Sequence, residues 1–105
     1  MTDKRVVVTT CGSLEEARQI ARALVERRLA ACVNIVPQVE SVYRWKGEVE
    51  TSNEALLVIK TTEGVFERLR AALSELHSYE VPECIEFVVS DGSEAYLNWI
   101  GESVR

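Results

Sequence analysis

Four side chains in this sequence carry the chemistry of metal ligands: Cys11, the single histidine His77, Glu83 and Cys84. Thiolate and imidazole together suit copper or zinc, and thiolate favours Cu(I). The four are scattered and lack the C-x-x-C spacing of a local metal loop, so only the fold can unite them. A second stretch, Tyr79-Glu80-Val81-Pro82-Glu83, mixes an aromatic, two acids and a proline and reads as a rigid connection or a pocket wall. Trp45 reads as a packing or interface anchor, and Lys60 as a strand-end charge that snorkels or pairs with an acid. The first group also has a plainer reading. A histidine closing a helix complements its dipole, and a buried cysteine behaves as a small hydrophobe. The third cysteine, Cys32, sits between Ala31 and Val33 and reads as core. No nucleophile has a base beside it and no glycine-rich phosphate loop occurs, so an enzyme is the least supported class.

The elements that must position these residues follow from periodicity. Lys4 to Thr10 is rich in β-branched residues and predicts a strand, closed by Cys11-Gly12-Ser13. Ser13 and Glu16 form a capping-box pattern, and helical spacing of Ala17, Ile20, Ala21, Leu24 and Val25 predicts a helix to about Leu29. Cys32 to Arg44 reads as a long strand bulged at Pro37, and Trp45-Lys46-Gly47-Glu48 as a hairpin tip. The return strand, about Val49 to Thr61, ends in the apolar run Ala55 to Ile59 of a central strand. A second helix is predicted from Glu63 to His77, a fourth strand from Ile85 to Ser90, and a short last helix from Glu94 to Glu102. The order is β-α-β-β-α-β plus a helix, an α+β, ferredoxin-like split βαβ arrangement.

That topology places Cys11, His77, Glu83, Cys84 and the hairpin tip with Trp45 at one rim, and Cys32 at the opposite end. It also leaves a problem. Helices of about fifteen residues span only ~22 Å, whereas the predicted hairpin runs far beyond them with Val39, Val42, Tyr43, Trp45 and Val49. Exposed apolar strands are covered or paired in native proteins, so the hairpin predicts self-association.

The 105 residues suffice for a single domain, 1–105, and 47% hydrophobic residues exclude a disordered chain. A net charge of −5 argues against a nucleic-acid partner and is compatible with metal cations. No apolar run is long enough for a signal peptide or a membrane span, and three cysteines make no disulfide framework. The expectation is a cytoplasmic domain with reduced thiols and no membrane partner.

Several longer motifs carry a resemblance. Ala30-Ala31-Cys32-Val33-Asn34-Ile35-Val36-Pro37, Ser41-Val42-Tyr43-Arg44-Trp45-Lys46-Gly47, Ile59-Lys60-Thr61-Thr62, His77-Ser78-Tyr79-Glu80-Val81-Pro82-Glu83 and Tyr96-Leu97-Asn98-Trp99-Ile100 resemble the CutA divalent-cation tolerance family. Ser78 stands where that family usually has proline, and Gln38 where it often has glycine. The resemblance implies a homotrimer of ferredoxin-like subunits, similar in architecture to PII proteins, and a role in tolerance to copper and other divalent cations. It implies His77 as a copper ligand with Cys11 as the nearest thiol, completed by Glu83 or Cys84; Leu76 stands where some members carry a further histidine. Two other functions remain open at this point. One is a PII-like trimer sensing a small molecule in an inter-subunit cleft at Trp45, Lys60, Tyr79 and Glu80; the other is a stable protein-binding scaffold.

Overall fold

The computed structural model describes residues 1–105 as one sheet layered against helices. β1 (Lys4–Cys11) leads into α1 (Leu14–Glu26), and β2 (Cys32–Trp45) and β3 (Glu48–Thr62) form the hairpin. A single 3₁₀ turn, Glu63–Val65, opens α2 (Phe66–Leu76), followed by β4 (Ile85–Val88) and α3 (Glu94–Ser103). The strands lie in the order β2-β3-β1-β4, all neighbours antiparallel. This is the α+β, ferredoxin-like arrangement expected from the order of elements.

Strand alternation divides the sheet into two faces. Val7 and Cys11 of β1 and Ala55, Leu57 and Ile59 of β3 are fully buried beneath Ile20, Leu24, Leu69 and Leu73 of the helices. The alternate residues Thr10, Glu54, Leu56, Val58 and Lys60 lie on the opposite face. No helix is long and apolar enough to cross a membrane.

Three local features refine the sequence reading. Ser13 caps α1 by accepting from the Glu16 N–H at 3.1 Å, but the Glu16 carboxylate turns instead to the Ser78 N–H at 2.9 Å. α1 stops at Glu26, earlier than its periodicity predicts, because Arg28 adopts a left-handed φ of 61°. Leu29 and Ala30 N–H then both close back on the Leu24 carbonyl, a helix stop that usually announces itself with glycine. At the hairpin tip Lys46 and Gly47 have φ of 50° and 85°, the two positive angles of a type I′ turn.

The bulge at Pro37 has the largest consequence. Between Val36 and Val39 the register to β3 slips, so that Val36 faces Leu56 and Val39 faces Glu54. Two residues of β2 oppose one of β3, which inverts the alternation beyond that point. Ser41, Tyr43 and Trp45 thereby share a face with Ser52 and Glu54, and Val42 and Val49 take the other, where they are 67% and 66% exposed.

Candidate functional site

The rim predicted from topology forms at the C-terminal end of β1, where β3, the segment after α2 and the hairpin meet. His77 follows the last turn of α2 with its side chain fully buried. Its Nε2–H donates to the Thr10 carbonyl at 2.7 Å, while Nδ1 accepts the Tyr79 N–H at 3.1 Å. Both ring nitrogens are thus committed, and the pattern describes a neutral imidazole protonated on Nε2. Tyr79 packs against the ring at 4.6 Å between centroids and donates its hydroxyl to Glu54 Oε2 at 2.5 Å. Burial, then that hydrogen bond and the Glu54 charge, push the Tyr79 phenol well above its usual range, so it stays a donor.

The thiols point elsewhere. Cys11 lies in the core under the helices; burial, with the charges of Glu16 and Glu54, pushes its thiol up to about 11. Cys84 precedes β4 and packs against the same core, and burial raises it too, with Arg70 pulling in the opposite direction. Thiolate is the ligating form, and both sites favour the thiol. No group of three or more His, Cys, Asp or Glu side chains converges in a way that could hold a metal ion. Cys11, His77, Glu83 and Cys84 therefore reach one rim without forming a common donor set within the subunit. Alternation explains why: the odd residues of β1 face the helices, and Cys84 faces them as well, while Glu83 and Ile85 face away.

The carboxylates do meet in a cleft. A cavity of about 750 Å³ opens between the hairpin and the segment after α2, lined by Tyr43, Trp45, Glu54, Tyr79, Glu80 and Glu83. Thr10, Gly12, Ser41 and Asn53 add polar and backbone surface at its floor. Burial and the neighbouring Glu54 charge raise the Glu83 carboxyl above its ordinary range. None of Glu54, Glu80 and Glu83 is paired with a cationic side chain; the ion pairs of the subunit lie elsewhere. Glu16, beside His77, behaves oppositely. Burial disfavours its charge, but hydrogen bonds from Ser78 and from the Gly12 backbone outweigh this and hold the carboxyl below its usual range.

Within the subunit Trp45, Tyr79 and Glu80 line this cleft, and Lys60 lies away from it. It pairs in register with Cys32 at the far end of β3 and donates to Asn34 Oδ1. Six strand steps separate it from Glu54, a distance of about 20 Å. Glu54 and Tyr43 are the functional candidates that sequence reasoning passed over. The available signal was the position of Glu54 directly before the buried Ala55, which forces it onto the open face.

Over residues 5–103 the chain matches the model of the CutA1 divalent ion tolerance protein family. The chain belongs to that family. A divalent-cation tolerance protein CutA of Thermus thermophilus is 49% identical over 100 residues, covering 95% of this chain and 97% of that protein. The human protein CutA is 45% identical over 91 residues, covering 87% of this chain but only 51% of its own length. The solved CutA1 of Thermus thermophilus superposes with a TM-score of 0.95 at 48% identity, covering 97% of this chain and 99% of that one. CutA of Xylella fastidiosa gives 0.96 at 40% identity, covering 99% and 100%. The chain thus spans nearly the whole of its bacterial CutA1 relatives and about half of the human one.

Proposed function

We propose that the chain is the subunit of a homotrimer that serves divalent-cation tolerance by taking cations, copper(II) among them, at the acidic cleft beside the hairpin. The observation that carries this reading is the Glu54–Glu83 pair: two carboxylates lining one cleft with no cationic partner, Glu83 raised by burial and by the Glu54 charge. A cation relieves that repulsion, and carboxylate oxygens suit divalent ions better than Cu(I). One subunit presents too few converging donors to close a coordination sphere, so a neighbouring subunit or water supplies the rest. Calorimetric titration with Cu(II) and Mn(II) tests the assignment. Glu54→Gln and Glu83→Gln weaken binding at least ~10-fold, the loss expected for removing a charged ligand, while Cys84→Ala leaves it unchanged. Binding that survives both glutamine variants and disappears in Cys11→Ala or His77→Asn would return the site to the thiol and imidazole.

A second reading has its own observation. The cleft is far larger than a metal ion, and three of its walls are the aromatic rings of Tyr43, Trp45 and Tyr79. Cavities of several hundred Å³ with aromatic surface and a few polar groups bind small organic molecules. In that reading the trimer senses a small molecule at the same place.

A further inference from the structure

The geometry points to the ligand class of the second reading: the cleft takes a small organic cation, an ammonium group carried on an apolar body. The inference rests on the small-molecule reading and goes beyond it by naming the charge and shape. Three features select this chemistry together. Glu54 and Glu83 line the same cavity and neither is paired with a cationic side chain of the subunit, so an incoming ammonium would be the missing counter-ion. Tyr79 spends its only hydroxyl proton on Glu54, at 2.5 Å, which holds that carboxylate in place and offers no donor to an anionic ligand. Tyr43, Trp45 and Tyr79 present rings to the same space, and aromatic faces attract cations while burying alkyl groups.

The lining also excludes alternatives. Within the subunit no Lys, Arg or His side chain lines the cleft, so a phosphate or carboxylate would meet three carboxylates with no compensating charge from the same chain. A neutral apolar molecule could use the rings but would leave Glu54 and Glu83 without a counter-ion. An ammonium satisfies both halves of the site, with its charged end toward the carboxylates and its chain along Tyr43 and Trp45.

Titration of the intact protein with hexylammonium, 1-hexanol and hexanoate separates these cases, because the three share a chain and differ in charge. Hexylammonium binds, 1-hexanol binds at least tenfold more weakly, and hexanoate does not bind. Glu54→Gln and Glu83→Gln each weaken hexylammonium at least tenfold, and divalent cations compete with it. Either variant suffices if the other fails to fold, as judged by circular dichroism. Equal binding of hexylammonium and 1-hexanol, unaffected by either variant, would overturn the cationic class while leaving a small-molecule cleft. Failure of all three probes to bind would overturn the class and the small-molecule reading with it, and the divalent-metal reading would then stand alone.

Discussion

His77, a residue with ligand chemistry, ties two elements of the subunit together. Its two nitrogens join the end of β1, through the Thr10 carbonyl, to the Tyr79 backbone on the segment after α2. Tyr79 then passes the connection to Glu54 in the cleft. Glu83, at the far wall, carries a pH signature. Its carboxyl is raised by burial and by Glu54, so the folded subunit binds that proton more tightly than the unfolded chain does. Stability from this group is complete below the unfolded-chain value and is lost as pH rises through the folded value. Glu83→Gln removes the penalty: the variant melts above the parent at about pH 7, and the gap closes near about pH 3, below the ordinary glutamate range, where the parent carboxyl is protonated in both states. A gap of equal size at both values would show that another group titrates. Glu16 has the opposite sign, since its lowered carboxyl stabilises above the unfolded value and loses that contribution as pH falls through the folded one.

At the scale of elements, two irregularities decide what the regular structure presents. The end of α1 depends on Arg28 in the left-handed region at φ 61°, a conformation that costs an L-residue roughly 1–2 kcal/mol and glycine little. Arg28→Gly should raise stability by up to about 1 kcal/mol, after the greater chain entropy of glycine is subtracted. Chemical denaturation reads it directly, and a loss of stability would mean that the Arg28 side chain makes a contribution larger than its strain. The bulge at Pro37 matters more for function. Without the extra residue, Val42 and Arg44 rather than Tyr43 and Trp45 would face Glu54. The aromatic wall of the cleft therefore exists because one strand carries one residue more than its partner.

The whole subunit is elongated, 44 Å by 25 Å by 23 Å, with a radius of gyration of 14.2 Å against about 13 Å for a compact chain of this length. The excess is the hairpin, whose strands of 14 and 15 residues outrun the 13-residue α1. Its outer half exposes Val42 and Val49, and the open face of the sheet exposes Ile85 and Phe87 at 49% and 53%. Apolar surface of this extent on a small subunit marks an interface, in keeping with the proposed trimer. Light scattering should return three times the 11.8 kDa subunit mass. A Val49→Asp variant, changed at an exposed hairpin position outside the cleft, should fall toward the single-chain mass. A parent protein of single-chain mass at micromolar concentration would contradict the assembly.

Local pattern was enough for much of this protein. The β-branched run from Lys4, the helical spacing of Ile20 and Leu24, and the Lys46-Gly47 turn state their own conformations, and their order leaves the split βαβ fold as the natural packing. Topology then places His77, Glu83 and the hairpin tip at one rim. Which side chains look into the cleft was not legible, because facing is a property of register, and register is set by pairing between distant strands. A single unpaired residue at Pro37 turns Tyr43 and Trp45 inward, and strict alternation in β1 turns Cys11 away into the core. Lys60 lies at the other end of its strand, away from the cleft of its own subunit. The sequence by itself determined the elements and the rim where they meet. The tertiary structure decided that carboxylates and aromatic rings, rather than thiols and imidazole, face the space there, because alternation buries one set of neighbours whenever it exposes the other.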